Sequence, residues 1–338
     1  MIGWTKEGKR MDRVGIVGCG GIAQVHAQVL NGLEETELAA CADIRLDRAQ
    51  AMAGKYGCRA YGSMEEMLDN ERLDAVHLCT PHYLHPVMAL EAAKRGLKVF
   101  TEKPPAIDQA GWAQIRQAAA LAPLGVCFQN RYNDNALECR RILDAGTYGG
   151  LLGIRAFVTW NRTADYYTGA DWKGRWATEG GGALINQAVH TLDLAVRFLG
   201  APDTVESTMR NHHLKGVIQV EDTVEIFLKK QNKTALIYAT TAYTEDSPVL
   251  IELHLENAVL RLEDDRLEIR QNGSVHAMDF EAAERIGRSY WGAGHKKCIR
   301  DFYRCASENR PYGNDAASCE DTMRTLLKIY EQNPRELD

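Results

Sequence analysis

The sequence predicts an α/β protein with an N-terminal doubly wound parallel-sheet domain and a C-terminal α+β domain holding a mostly antiparallel sheet. Three observations predict it. Residues 13–128 alternate short apolar runs with helix-length segments. A glycine turn separates the first run from the first helix. Beyond about residue 130, closely spaced strand-like segments take over. Strand–helix alternation builds βαβ units, and right-handed crossovers put helices on both faces of a parallel sheet. Strand-like neighbours joined by short turns pair antiparallel instead. A chain of 338 residues suggests about two domains at roughly 150 residues each. The expected division is 12–130 and 131–338, with the final helices free to pack back on the first domain.

In order, the first half reads as strands near 13–17, 38–42, 75–79, 98–101 and 125–129. Helices fall near 21–30, 46–56, 84–95 and 108–120. The second half opens with a helix near 135–145 and a strand near 154–160. A polar and aromatic loop covers 161–181, and a helix covers about 182–199. Strands follow near 203–210, 222–229, 234–241, 248–255, 257–262 and 265–270, then helices near 293–307 and 316–332. Residues 1–11 read as a frayed leader without the apolar stretch of a signal peptide.

Composition excludes several classes. Hydrophobic residues make 45% of the chain and charged residues 25%, enough for a core and against global disorder. The formal net charge of −6 argues against a free-standing nucleic-acid binder. No run approaches the roughly 18 apolar residues of a membrane span. Nine scattered cysteines without a CxxC pair read as reduced thiols of a cytoplasmic protein.

The first chemical signal is Gly18-Cys19-Gly20-Gly21-Ile22-Ala23, a GxGxxA turn between a strand and a helix. Gly18 permits the tight turn, Gly20 lets backbone approach a pyrophosphate, and Ala23 allows close helix–strand packing. The helix start, at Gly21 and Ile22, offers N–H groups and positive dipole to phosphates. Asp43 ends the second strand, 20 residues after Ala23, where a carboxylate accepts both ribose hydroxyls and repels a 2′-phosphate. The expected cofactor is NAD, with NADP left open by Arg45 and Arg48 nearby.

Later strand ends carry further candidates. Thr80-Pro81-His82-Tyr83-Leu84-His85 follows the strand at 75–79. Thr80 and His85 either line the cofactor channel or serve the helix start, with Thr80 as cap, and His82 is expected to be exposed. Thr101-Glu102-Lys103-Pro104-Pro105 follows the strand at 98–101, and the sequence leaves the isomer of the bond before Pro104 open. A lysine beside a cationic nicotinamide ring loses basicity and becomes a proton acceptor. Taken alone, Lys103 also fits an ordinary surface lysine.

The most specific stretch is Glu179-Gly180-Gly181-Gly182-Ala183-Leu184-Ile185-Asn186-Gln187-Ala188-Val189-His190-Thr191-Leu192-Asp193. Asn186, His190, Asp193 and Arg197 recur on one face of the expected helix. No second histidine completes a usual zinc set, so no metal is expected.

Taken in order, GxGxxA, the acidic strand end, TPxxxH, EKP and GGGxLxxxxxHxxD resemble the glucose–fructose oxidoreductase, inositol dehydrogenase and rhizopine-catabolism (Gfo/Idh/MocA) family. The matching elements run from residue 13 to about 200, and Gly294-His295 with Asp301-Phe302-Tyr303 extend the likeness. The resemblance implies a Rossmann domain and a large open-faced sheet domain that packs on a partner subunit, as a homodimer or homotetramer. It implies reversible hydride transfer between NAD(P) and a carbon of a sugar, cyclitol or related polyol. Lys103 falls on the family's catalytic lysine and His190 on its catalytic histidine, with Glu102 also placed at the cofactor. Many members carry Asp where this chain has Asn186, and an amide takes no proton, so proton transfer falls to Lys103 and His190. Arg162, Tyr167, Trp172, Arg175 and Asn186 are expected to hold the remaining substrate hydroxyls. Two alternatives stand beside this reading: a glycosidase acting through transient sugar oxidation, and a nucleotide sensor without catalysis.

Overall fold

A computed structural model describes residues 10–278, 280, 293–333 and 335. The chain divides into two compact units, Met1–Phe128 with His295–Cys319, and Gln129–Gly294 with Glu320–Asp338. Residues 1–9 of the expected leader lie outside the described residues. Arg10 is not frayed, because its guanidinium grips Asp74 at 2.7 Å.

The first unit holds a parallel sheet of β1 (Asp12–Val17), β2 (Thr36–Ala42), β3 (Arg59–Tyr61), β4 (Ala75–Leu78), β5 (Lys98–Thr101) and β6 (Leu124–Val126), in the order β3-β2-β1-β4-β5-β6. Its strands are covered on both faces, so Val14, Ile16, Ala40, Cys41, Val76, Leu78 and Val99 are fully buried and read as unbroken apolar runs. The helices of the crossovers are α1 (Gly21–Asn31), α2 (Leu46–Tyr56), α3 (Met64–Asn70), α4 (His85–Lys94) and α5 (Gln109–Leu121). Two of these elements, β3 and α3, are absent from the sequence reading. Three residues are too few to show a strand period, but α3 did carry a signal. Ser63 accepts from Glu66 N while the Glu66 carboxylate accepts from Gly62 N, a reciprocal cap written as Ser-x-x-Glu.

The strand order reverses direction between β1 and β4, where Val17 pairs with Leu78. The chain therefore leaves two adjacent strand ends in opposite senses, opening the crevice where such sheets bind ligands. Helix α9 (Gly294–Ser307) returns to this unit and buries Phe302 and Tyr303 against Phe100 and His77.

In the second unit, α6 (Asp134–Ala145), α7 (Ala164–Thr168), α8 (Val189–Leu199) and most of α10 (Ala316–Gln332) accompany an eight-stranded sheet. Its strands are β7 (Leu151–Thr159), β8 (Thr204–Arg210), β9 (Thr223–Lys230), β10 (Lys233–Thr240), β11 (Leu250–Leu255), β12 (Val259–Glu263), β13 (Arg266–Gln271) and β14 (Ser274–Met278). The order is β14-β13-β12-β11-β7-β10-β9-β8, antiparallel except for the parallel pair β7–β10. Strand β14 was not anticipated, because Ser-Val-His-Ala-Met is exposed along most of its length and carries no alternation. Along β10, Ala235, Ile237 and Ala239 point into the core under α8, while Leu236 and, opposite it on β9, Phe227 face outward and stay exposed.

The expected helix over 182–199 needs correction. Ala183–Ala188 winds in wide π-type turns, and the α-helix begins only at Val189. A π turn takes more residues than an α turn, so the four-residue polar stripe does not hold one face. Asp193 turns inward, 1% exposed, where Arg131 Nε donates to it at 2.7 Å and the Thr322 hydroxyl donates at 2.7 Å. Asp193→Ala would strand the buried guanidinium of Arg131. The expected cost is about 3–5 kcal/mol, read as a lower urea midpoint.

Candidate active site

In the first unit the candidate site starts at the turn that ends β1. Gly18 sits at φ 86°, and a Cβ there would lie 2.6 Å from the Cys79 carbonyl oxygen at the end of β4. Only glycine fits. Gly20 differs, for a Cβ there would meet nothing within 4 Å. Protein packing therefore does not demand glycine at Gly20, and the open space leaves room for a ligand's close approach to the backbone. Helix α1 has Gly20 at its N-cap with no side chain capping it, so its first N–H groups, from Gly21 and Ile22 onward, face the turn. Ala23 is fully buried, as close helix–strand packing requires.

Asp43 closes the other side. One carboxylate oxygen accepts from Cys19 N at 2.7 Å and the other from Arg45 N at 2.8 Å. Each oxygen keeps lone-pair capacity for a ribose hydroxyl. The residues present thus fit a dinucleotide with an unmodified ribose. Arg45 pairs with Asp47 at the surface.

The next strand ends hold Thr80, His85, Glu102 and Lys103, and here several expectations change. Thr80 is not a helix cap; its hydroxyl meets Met88 Sδ, and Leu84 precedes α4 instead. His82 is buried rather than exposed, its ring beside that of His85. His85 is fully buried, its Nδ1 2.8 Å from the Pro104 carbonyl and its Nε2 2.8 Å from the Thr80 carbonyl. It clasps two site loops and offers no ring nitrogen to a cofactor. Both acceptors are carbonyls, so a neutral ring donates to only one at a time, and burial holds its pKa below the ordinary value. Glu102 likewise faces the core, with Oε1 2.9 Å from His26 Nε2. Burial pushes its pKa up, but the His26 hydrogen bond and the charges of His26, His295 and Lys103 outweigh this and hold it below the usual carboxylate range. Lys103 is half-buried, directly after Glu102, and a cis bond joins it to Pro104. The donor atoms of His26, Glu102 and Cys127 gather within 4.8 Å, but the histidine nitrogen facing the carboxylate is already engaged with it.

In the second unit His190 is half-buried at the start of α8, and Gln129 Nε2 lies 3.2 Å from its Nε2. As placed, the amide donates and Nε2 accepts, which puts the proton of a neutral ring on Nδ1. Asn186 donates to Glu179 at 2.5 Å and reaches the Tyr166 hydroxyl, which also accepts from Gln187 at 2.9 Å. Lys173 Nζ stands 3.5 Å over the Tyr166 ring. Trp172 is half-buried beside Lys173, and Arg175 is exposed. Two expected substrate contacts are corrected. Tyr167 packs with Leu214, Ile218 and Val220 and is 4% exposed. Arg162 is buried, paired to Asp246 at 2.9 Å and laid over Trp160.

Sequence reasoning missed Glu179, Tyr166 and Gln129. The signal for Glu179 was present, a lone carboxylate directly before three glycines. It is fully buried, accepting from Gly174 N and Asn186, and burial raises its pKa to about 7. Glu221, fully buried, accepts from Gly182 N, Leu184 N and the Tyr330 hydroxyl, and burial again raises its pKa to about 7. Both acids ionise near their ordinary value of 4.5 when unfolded but stay protonated to about 7 when folded. In that window the unfolded chain holds fewer protons, so stability falls as pH rises from about 4.5 to about 7 and then levels. Each group contributes at most about 1.4 kcal/mol per pH unit. Glu179→Gln is expected to remove one share, seen as a smaller loss of unfolding free energy between pH 5 and 7.5.

Comparison with known proteins adds to the geometry. The family model for the oxidoreductase family GFO/IDH/MocA, NAD-binding Rossmann fold, matches residues 13–128. The model for the GFO/IDH/MocA C-terminal domain matches residues 136–261. A D-glucoside 3-dehydrogenase of Escherichia coli is 36% identical over 203 residues, 56% of this chain and 54% of that protein. The match thus spans about half that relative's length. An inositol 2-dehydrogenase of Rhizobium meliloti is 28% identical over 265 residues, 75% of this chain and 76% of the relative. Among solved structures, the WlbA dehydrogenase from Bordetella pertussis in complex with NADH and UDP-GlcNAcA superposes with a TM-score of 0.83 at 27% identity. It covers 95% of this chain and 96% of that one.

Proposed function

The chain belongs to the GFO/IDH/MocA oxidoreductase family, and from that membership we propose that it transfers hydride between NAD and a hydroxyl-bearing carbon of a sugar, cyclitol or related polyol. The observation that carries the reading is the turn at the end of β1. Its Gly20 faces open space, its helix start is uncapped, and Asp43 is bonded to its backbone. The glucoside and inositol dehydrogenases among its relatives support the substrate class.

NAD supplies the hydride acceptor. Asp43 binds the ribose hydroxyls and the turn binds the pyrophosphate. Lys103 orients the reacting hydroxyl, and His190 exchanges its proton with solvent, the Gln129 amide holding the ring. Asn186 hydrogen-bonds a substrate hydroxyl, steadied by Glu179. Trp172 and Tyr166 offer ring faces to the C–H side of a sugar. Phe227 and Leu236, neighbours on the outer sheet face, support a homo-oligomer that covers them. No helix among the described residues is long and apolar enough to cross a membrane. The nine free cysteines suit a cytoplasmic setting.

The test is absorbance at 340 nm with NAD against sugars, cyclitols and aryl glycosides. Steady NADH formation is expected with at least one polyol. Lys103→Ala and His190→Ala are each expected to lower kcat by about 10²–10⁴-fold. Aryl release without net NADH would instead overturn the dehydrogenase reading.

A further inference from the structure

A buried chain of polar side chains crosses the first unit behind Lys103. His77 is the one polar residue among the four of β4, and it is fully buried. Its Nε2 lies 2.8 Å from the Tyr303 hydroxyl on α9, and its Nδ1 lies 2.8 Å from His26 Nδ1 on α1. His26 Nε2 lies 2.9 Å from Glu102 Oε1. Four groups, from three elements and the loop after β5, thus form a chain of three hydrogen bonds that ends on the carboxylate next to Lys103. Most of the side chains buried around them are apolar.

Proton bookkeeping gives the chain a direction. A carboxylate only accepts, so His26 donates through Nε2. If its Nδ1 carries no proton it accepts, and His77 donates through Nδ1. His77 Nε2 then accepts, and Tyr303 donates. Three protons satisfy three bonds, all pointing toward Glu102. Burial keeps His77 neutral, its pKa well below the ordinary value, and keeps the Tyr303 hydroxyl protonated. The reversed order places a proton on Glu102 or a second one on His26, and it asks Tyr303 to accept while its own hydrogen finds no acceptor among the described residues. Tyr303 thus holds the direction from the end opposite Glu102.

We propose that Tyr303, acting through His77 and His26, is a positioning residue that fixes the hydrogen-bond direction of the whole chain and with it the negative charge of Glu102 beside Lys103. This rests on the dehydrogenase reading, in which Lys103 meets the reacting hydroxyl. The groups that face Glu102 are His26 from α1, His295 from α9, Lys103 on its own loop, and the thiols Cys79 and Cys127 beyond β4 and β6. Phe100 lies against His77, and Asp12 and Asp74 are the charges that Tyr303 senses. Glu102 is thus a negative charge beside Lys103, and a carboxylate so placed favours a neighbouring cation.

Tyr303→Phe keeps the ring, which stacks on His77 at 5.9 Å, and deletes only the hydroxyl. Nitrogen-15 NMR of the imidazoles is expected to show His77 protonated at Nδ1 and His26 at Nε2 in the unmodified protein, and a mixture of tautomers in the variant. With the direction lost, Glu102 gains access to a proton and Lys103 loses part of its charge partner. The acid limb of the kcat profile is then expected to move at least half a pH unit to lower pH, about threefold in rate at a fixed pH on that limb. His77→Gln severs the chain one link nearer and is expected to move the limb likewise, should Tyr303→Phe fail to fold. Unchanged tautomers overturn the proposal. Changed tautomers with an unmoved limb overturn the link to Lys103, and a drop in melting temperature alone means a structural role. If the unmodified protein oxidises no polyol, the dehydrogenase reading fails by itself, while the tautomers still decide the chain's direction.

Discussion

At Gly18 the backbone turns against the Cys79 carbonyl with no room for a side chain, and much of the first unit follows from that contact. It lets β1 and β4 pair to their last residues, Val17 with Leu78, so that the chain departs from two neighbouring strands in opposite directions. It aims the start of α1 into the crevice between them. Asp43 then fastens the turn by accepting from Cys19 N, and its carboxylate keeps lone pairs for a further donor. A bulkier residue at Gly18 would separate the strand ends and disturb Thr80 and Lys103, which follow the next strands of the same sheet.

Much of this was legible because glycine and aspartate act through backbone geometry, which leaves a fixed spacing in the sequence. Strands buried on both faces were legible as apolar runs. Side-chain commitments were not. His85, Glu102, Arg162 and Tyr167 are residue types that suit a binding site, yet each is drawn to a partner distant in sequence: Pro104, His26, Asp246 and a cluster around Leu214. Nothing in a local pattern reports such partners. The π-type start of the helix over Ala183–Ala188 was hidden for a similar reason, because the groups that anchor it come from Glu221 and Tyr330.

The two units share one device, buried ionisable groups set behind the candidate proton-transfer residues. In the second unit burial leaves Glu179 and Glu221 largely neutral at mildly acid pH, and the two reach the site through Asn186 and the Gly182–Leu184 backbone. In the first unit Glu102 keeps its charge because His26 compensates the burial. The difference lies in the partners. Amides and hydroxyls satisfy a carboxyl without fixing its charge, whereas a histidine chain and a lysine fix it. The Asn186 departure from the family pattern thus sits within hydrogen-bond reach of an acid that titrates near neutrality.

We propose that the turn at Gly18 and the carboxylate of Asp43 form a site for a dinucleotide with a free ribose. Titration calorimetry of the protein with NAD and with NADP tests it most directly. NAD is expected to bind at least about tenfold tighter, since a 2′-phosphate would meet the Asp43 carboxylate. Equal affinity, a preference for NADP, or no binding of either would contradict it.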